Sequence, residues 1–165
     1  AESYLEADIH KTMRGFLYVI SGDALRNGDI NEPFDGHFPA GEAMTDQLVS
    51  PEELPLWLTE EDLHFYVDEI TRTGFRGGLN WYRNINRLPA ITAPFLGSTI
   101  NQPSFYMGGS TDLIAGNTPE AISSMQQALG DLRHCEIIEG AGHWLQQECS
   151  SEVSSAMVSF LEGLD

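Results

Sequence analysis

The run Ser104-Phe105-Tyr106-Met107-Gly108-Gly109-Ser110-Thr111-Asp112 and the run Cys135-Glu136-Ile137-Ile138-Glu139-Gly140-Ala141-Gly142-His143 decide how the rest of the chain is read. Each begins as a short apolar strand, 104–107 and 135–138, and breaks into a glycine-rich turn that ends on a chemically active side chain. Between them, 119–129 reads as an amphipathic helix with Pro119 in its first turn and Gly130 just past its end. A last helix over 152–161 turns Val153, Met157, Phe160 and Leu161 inward. Strand, helix, strand in that order predicts an α/β arrangement with a parallel pair and a right-handed crossover. Parallel strands are normally buried within larger sheets, and two strands alone are not independently stable. The remaining strands are therefore expected from outside these residues.

Asp112 and His143 both follow the C-terminal end of a predicted strand, the edge of an open α/β sheet where catalytic side chains converge. On neighbouring strands they would meet as acid and base. A carboxylate on one imidazole nitrogen fixes the tautomer and leaves the other nitrogen to take a proton from water. A lone histidine in a glycine-rich loop is as readily structural, so spacing alone leaves both roles open. His10 and His64 fit helix surfaces, His37 lies in a loop and His134 flanks a strand. No metal-ligand spacing is present, and no cofactor is implied.

Outward from this core, Leu5, Ile9, Met13, Phe16, Leu17 and Ile20 recur at helical steps, so 1–18 reads as the interior of a helix. An opening of that kind, without Met, predicts a processed, cleaved or truncated chain. Residues 21–58 are irregular, punctuated by Gly22, Gly28, Pro33, Gly36, Pro39, Gly41, Pro51 and Pro55. Thr59 begins the clearest helix, with Glu60, Glu61 and Asp62 in its first turn, Leu63, Val67 and Ile70 on one face and Gly74 at its end. A second helix carries Leu79, Trp81, Tyr82 and Ile85 before Pro89 closes it. From the residues alone, Trp81 and Tyr82 read as packing aromatics, although a phenol in an apolar pocket can also hand a proton to a developing alkoxide.

Composition bounds the rest. The chain has 165 residues, 41% of them hydrophobic, which is one domain of ordinary globular make-up. Eight Lys and Arg against 25 Asp and Glu leave a net charge of −17, which repels phosphates and anionic lipid and argues against nucleic acid as a partner. No window reaches the roughly 18 apolar residues of a membrane span. Cys135 and Cys149 have no disulfide framework around them, as expected of a reducing, cytoplasmic setting.

The stretch Trp57-Leu58-Thr59-Glu60-Glu61-Asp62-Leu63-His64-Phe65-Tyr66, with Thr73-Gly74-Phe75-Arg76-Gly77-Gly78-Leu79-Asn80-Trp81-Tyr82-Arg83-Asn84, closely resembles the lid of epoxide hydrolases of the α/β-hydrolase fold. Gly109-Ser110-Thr111-Asp112 resembles that family's acid-bearing turn, and Gly140-Ala141-Gly142-His143-Trp144-Leu145-Gln146-Gln147-Glu148 its histidine loop. The resemblance implies a mainly helical lid segment over 1–100 and the last two strands and helices of the hydrolase core over 101–165. It implies His143 as the base that activates water, Asp112 as its charge partner, and Tyr82 as one of two lid tyrosines that hold the epoxide oxygen. Trp81 and Trp144 would contact a small apolar epoxide, which an aspartate opens to an alkyl-enzyme ester that water cleaves to a vicinal diol.

The departure is that the nucleophilic aspartate on its strand–turn–helix elbow, the oxyanion turn and the first lid tyrosine have no counterpart in these residues. The resemblance therefore implies a separate N-terminal chain of the same enzyme that completes the sheet and carries the nucleophile; homodimerisation is left open. Two other readings stand beside it. One is a haloalkane or haloacid dehalogenase or an esterase on the same fold, from which Tyr82 as proton donor separates an epoxide hydrolase. The other is a non-catalytic fragment that binds an apolar ligand or a protein, against which the joint presence of His143, Asp112 and Tyr82 argues.

Overall fold

The computed structural model describes residues 1–38, 44–46, 48–113 and 116–164. Pro39 and Gly41, two of the residues that punctuate the irregular stretch, lie outside the described residues. In chain order come helices α1 (Glu2–Leu5), α2 (Ile9–Val19) and α3 (Gly22–Arg26), a 3-10 turn at Met44–Asp46, then α4 (Glu60–Thr73), α5 (Arg76–Arg83) and α6 (Leu88–Thr92). Strand β1 (Ile100–Gly109), α7 (Pro119–Ala128), β2 (Leu129–Ile138), α8 (Leu145–Glu148) and α9 (Ser150–Glu162) follow. The chain forms two compact units, Ala1–Phe16 with Phe38–Ser98, and Leu17–His37 with Thr99–Asp165. The units thus do not divide at residue 100, because 17–37 clusters with the C-terminal residues.

In the first unit the expected opening helix is broken at 6–8. The Asp8 carboxylate accepts from the Lys11 N–H at 2.9 Å, and its carbonyl accepts from Thr12 N at 2.9 Å, so Asp8 starts a fresh helix as a capping residue does. The buried Thr12 hydroxyl turns back to the Leu5 carbonyl at 2.9 Å, which satisfies an acceptor left open at the end of α1. Helix α4 begins as expected. Thr59 Oγ1 accepts from Asp62 N at 3.1 Å while the Asp62 carboxylate accepts from Thr59 N at 3.0 Å, a reciprocal capping box. The Thr59 hydroxyl, 2.6 Å from the Asp62 carboxylate, and then the Thr59 N–H lower the pKa of that carboxyl. Leu63 is fully buried beneath it. Arg14 fixes the approach to α4, bonding the Pro51 and Glu52 carbonyls and the Glu60 carboxylate.

Pro89 does not close the second helix. α5 ends at Arg83, and Pro89 stands in the first turn of α6, where its missing N–H costs nothing. Nor are the α5 aromatics core residues: Trp81 is 83% and Tyr82 67% exposed, and no residue of α5 is buried. Leu88, Ile91, Phe95 and Leu96, further along the chain, are exposed as well.

In the second unit β1 and β2 pair in parallel, with Tyr106 opposite Cys135 and Gly109 opposite Ile138. Both strands reach further back than 104–107 and 135–138, and the register shifts between Ile100 and Pro103, where proline has no N–H to give. Gly130 is no helix cap, because the chain passes from α7 at Ala128 straight into β2 at Leu129. Ala141, Leu145 and Val153 form a small core, with Met107, Ile138 and Cys149 packed against it. Of the residues expected to face inward on α9, only Val153 is buried, while Met157 and Leu161 are exposed. Phe160 is half-buried, its ring 5.4 Å from that of Phe105 between centroids.

Near the start of 17–37 stands Tyr18, buried to 1% exposure. Its hydroxyl donates to the Asp29 carboxylate and accepts from Asn27 Nδ2 at 3.0 Å. Burial, then the Asp29 hydrogen bond, raises the phenol above its ordinary 10.0. A raised value means that this group's stabilisation is complete below pH 10.0 and is lost as pH climbs through the folded-state value. Tyr18→Phe should therefore flatten the alkaline limb of the stability-against-pH curve, read by denaturant unfolding on either side of pH 10.0. An unchanged slope would place the alkaline sensitivity elsewhere.

Candidate active site

The two turns that end β1 and β2 are laced together through their backbones. Ser110 N donates to the Ile138 carbonyl at 3.0 Å and Thr111 N to the Ala141 carbonyl at 3.1 Å. The Thr111 hydroxyl reaches the same Ala141 carbonyl at 2.8 Å, and Gly140 N returns a bond to the Ser110 hydroxyl at 2.9 Å. Such closeness needs residues without side chains. A Cβ at Gly109 would stand 2.2 Å from the Ala141 oxygen, and one at Gly142 would stand 2.4 Å from Gly22 N. Below the first turn, Asn117 Nδ2 donates to the Gly109 carbonyl at 3.0 Å while its amide oxygen accepts from the Tyr106 hydroxyl. Burial, then the Asp112 charge, raises the Tyr106 phenol above its ordinary value.

This lacing delivers Asp112 and His143 to each other. His143 Nδ1 lies 3.1 Å from Asp112 Oδ2 and 3.2 Å from Oδ1. An ionised carboxylate only accepts, so the proton sits on Nδ1, and in the neutral ring Nε2 keeps a lone pair. The Asp112 side chain is 8% exposed and that of His143 33%, so the acid is sunk while the imidazole can be reached. An accessible imidazole held against a buried carboxylate can take a proton from a nucleophile, and the carboxylate stabilises the imidazolium that results.

Residues 17–22 support the histidine from its other side. His143 N donates to the Ile20 carbonyl at 2.9 Å. The Trp144 indole N–H donates to the Leu17 carbonyl at 2.7 Å, and its ring stands edge-on to the imidazole with centroids 5.0 Å apart. Trp144, which the resemblance implies as a substrate contact, thus stands against the imidazole. The structure thus brings together His143, Asp112 and Trp144; Trp81 and Tyr82 stand exposed on α5 of the other unit.

Three further residues escaped sequence reasoning. Asn117 and Tyr106 support the acid-bearing turn, and Glu148 binds the backbone on both sides of His143. Their contacts run across the fold or to main-chain atoms, and neither leaves a periodic signal. Of the other histidines, His37 pairs with Asp35 at 3.3 Å, His134 pairs with Glu136 at 3.1 Å, and His10 and His64 have ring centroids 6.1 Å apart. Among the described residues no three His, Cys, Asp or Glu side chains are grouped to hold a metal, and no helix is long and apolar enough to cross a membrane.

No protein-family model matches the chain. Individual relatives do. The chain is 38% identical to epoxide hydrolase A of Mycobacterium tuberculosis over all of its own length and 49% of that protein's. It is 34% identical to an epoxide hydrolase of Caballeronia sordidicola over 96% of its length and 46% of that relative. Among solved structures, epoxide hydrolase A from Mycobacterium thermoresistibile superposes with a TM-score of 0.83 at 37% identity, covering all of this chain and 49% of that one. An epoxide hydrolase from an endophytic Streptomyces gives 0.88 at 35% identity, covering 99% and 48%. The chain spans about half the length of the relatives it matches. With its parallel strand pair, its flanking helices and similarity along its whole length, the chain matches the C-terminal part of epoxide hydrolases of the α/β-hydrolase fold.

Proposed function

We propose that this chain is the base-supplying half of an enzyme that hydrolyses a small apolar epoxide to a vicinal diol. The observation that carries the reading is the His143–Asp112 pair, 3.1 Å apart at the end of two parallel strands, in a chain whose relatives are named epoxide hydrolases. In this reading 101–165, with 17–37 packed on it, is the end of the hydrolase core, and the rest of 1–100 is lid. A companion N-terminal chain supplies the remaining strands, the oxyanion turn, the first lid tyrosine and the nucleophilic aspartate.

The chemistry then runs in two steps. The aspartate oxygen attacks an epoxide carbon and the carbon–oxygen bond of the ring opens. The Tyr82 phenol donates a hydrogen bond and then its proton to the departing oxygen, which leaves a hydroxyalkyl ester on the aspartate. His143 Nε2 next takes a proton from water as the water oxygen adds to the ester carbonyl. Asp112 stabilises the imidazolium, collapse of the adduct returns the proton to the leaving diol oxygen, and the carboxylic acid so freed passes its remaining proton through solvent to the Tyr82 phenolate, which restores both groups. The exposed apolar surface of α5, with Trp81 and Tyr82, supports an apolar substrate, since such patches mark binding sites. Trp144, edge-on to the imidazole, borders the place where the ester would lie.

Three measurements test this. In the assembled enzyme His143→Gln should stop diol release while the N-terminal half still gains the mass of the epoxide; an unlabelled N-terminal half would remove the covalent mechanism. Tyr82→Phe should lower epoxide turnover at least about tenfold, within the range of a lost general acid, and an undiminished rate would remove Tyr82 as the proton donor. The 165-residue chain by itself should form no diol. Steady diol formation without a companion polypeptide would refute the division of labour.

A further inference from the structure

Glu148 is the one acidic side chain of the histidine loop, and its carboxylate turns inward to main-chain donors. Oε2 accepts from Gly22 N at 2.9 Å and from Gly142 N at 2.9 Å, and Oε1 accepts from Trp144 N at 3.0 Å. Those donors are the residue before His143, the residue after it, and the start of α3. Hydrogen bonds to an ionised acceptor are roughly twice as strong as neutral ones. A single carboxylate therefore clips three N–H groups on two segments of backbone at the point where the imidazole leaves the chain.

The position of His143 depends on that clip in two ways. Its own N–H bonds the Ile20 carbonyl at 2.9 Å, and this bond holds only if Gly22 and Gly142 keep their spacing. Its side chain reaches Asp112 across the sheet edge, and a tilt of the Gly142–Trp144 backbone moves the ring off both carboxylate oxygens. We infer that Glu148 is a positioning residue for the base, acting through the loop backbone on the step in which His143 activates water. The inference rests on the function proposed above and adds a residue to it. Formation of the ester does not need the imidazole, whereas its hydrolysis does. A defect in positioning should therefore fall on the second step alone.

Glu148→Gln keeps the shape and offers one acceptor oxygen in place of two. Its amide nitrogen cannot accept, so either Trp144 N or the Gly22 and Gly142 pair faces a second donor. In the assembled enzyme, with a small alkyl epoxide as probe, kcat should fall between about tenfold and a hundredfold, as for a slightly misplaced catalytic group. The rate of ester formation in a single turnover should stay as it was, and the esterified N-terminal half should accumulate. His143→Gln is run beside it. If that variant accumulates ester while Glu148→Gln turns over normally, or loses both steps in equal measure, positioning by Glu148 is overturned and the proposed function stands. If neither variant accumulates ester, the functional reading fails and this inference falls with it. Should Glu148→Gln not yield folded enzyme, Glu148→Asp, which keeps the charge and shortens its reach, is read by the same criteria.

Discussion

The geometry of this chain depends on two strand-end turns approaching more closely than side chains permit. The Ala141 carbonyl accepts from both the backbone and the hydroxyl of Thr111, and it occupies the space that a Cβ on Gly109 would need. Once those turns are fixed, Asp112 and His143 have little freedom left, because each lies within three residues of a laced position. Parallel pairing sets the same condition from below. With Gly109 opposite Ile138, both strands end together, and their following loops rise from the same edge. Functional side chains then come from sequence positions 31 apart and meet at 3.1 Å. The segment 17–22 closes the third side with the carbonyls of Leu17 and Ile20, which explains why residues so early in the chain cluster with its end.

Against this well-satisfied centre, the periphery of each unit leaves apolar surface open. Trp81, Tyr82, Phe95 and Leu96 in one unit, and Ile100, Met157, Val158 and Leu161 in the other, are large and exposed. Scattered exposed apolar side chains need no explanation, but contiguous runs of them mark surfaces that meet something. On the proposed function these faces divide into two kinds. Those around α9 and the start of β1 await the rest of a sheet and its flanking layer, whereas Trp81 and Tyr82 face substrate.

Much of this was legible in the sequence, and the parts that were not share a cause. Apolar runs and glycine turns located both strands, and the hydroxyl-plus-carboxylate signature at Thr59 located α4, because these are local signals. The resemblance to the lid and to the histidine loop then supplied the family. What sequence reasoning missed was settled by contacts between distant segments or by competing local uses of one residue. Asp8 restarts a helix in the middle of a helical apolar pattern. Pro89 opens α6, since proline terminates a helix and begins one equally well. Gly130 joins β2 because parallel pairing with β1 outweighs a capping preference. The attachment of 17–37 to the second unit rests on backbone carbonyls, which no residue type announces. Glu148 lay within the quoted motif, yet its role appears only in the three N–H groups around it.

The proposed chemistry also accounts for why such a well-built pair would be silent alone. His143 with Asp112 is a general base, and a base accelerates hydrolysis only of an ester held at reacting distance. Placing that ester is worth several powers of ten in effective concentration, and in this reading it is the companion aspartate that becomes the ester. The first step needs the nucleophile and the Tyr82 phenol, and the second needs the imidazole and its carboxylate. Each half of the enzyme thus lacks a group that one of the steps cannot do without. The hydrogen bonds that hold His143 are internal to this chain's second unit, so the base does not have to be organised when the companion arrives. Assembly then has to complete a pocket and deliver the nucleophile, while the pair that cleaves the ester is already aligned.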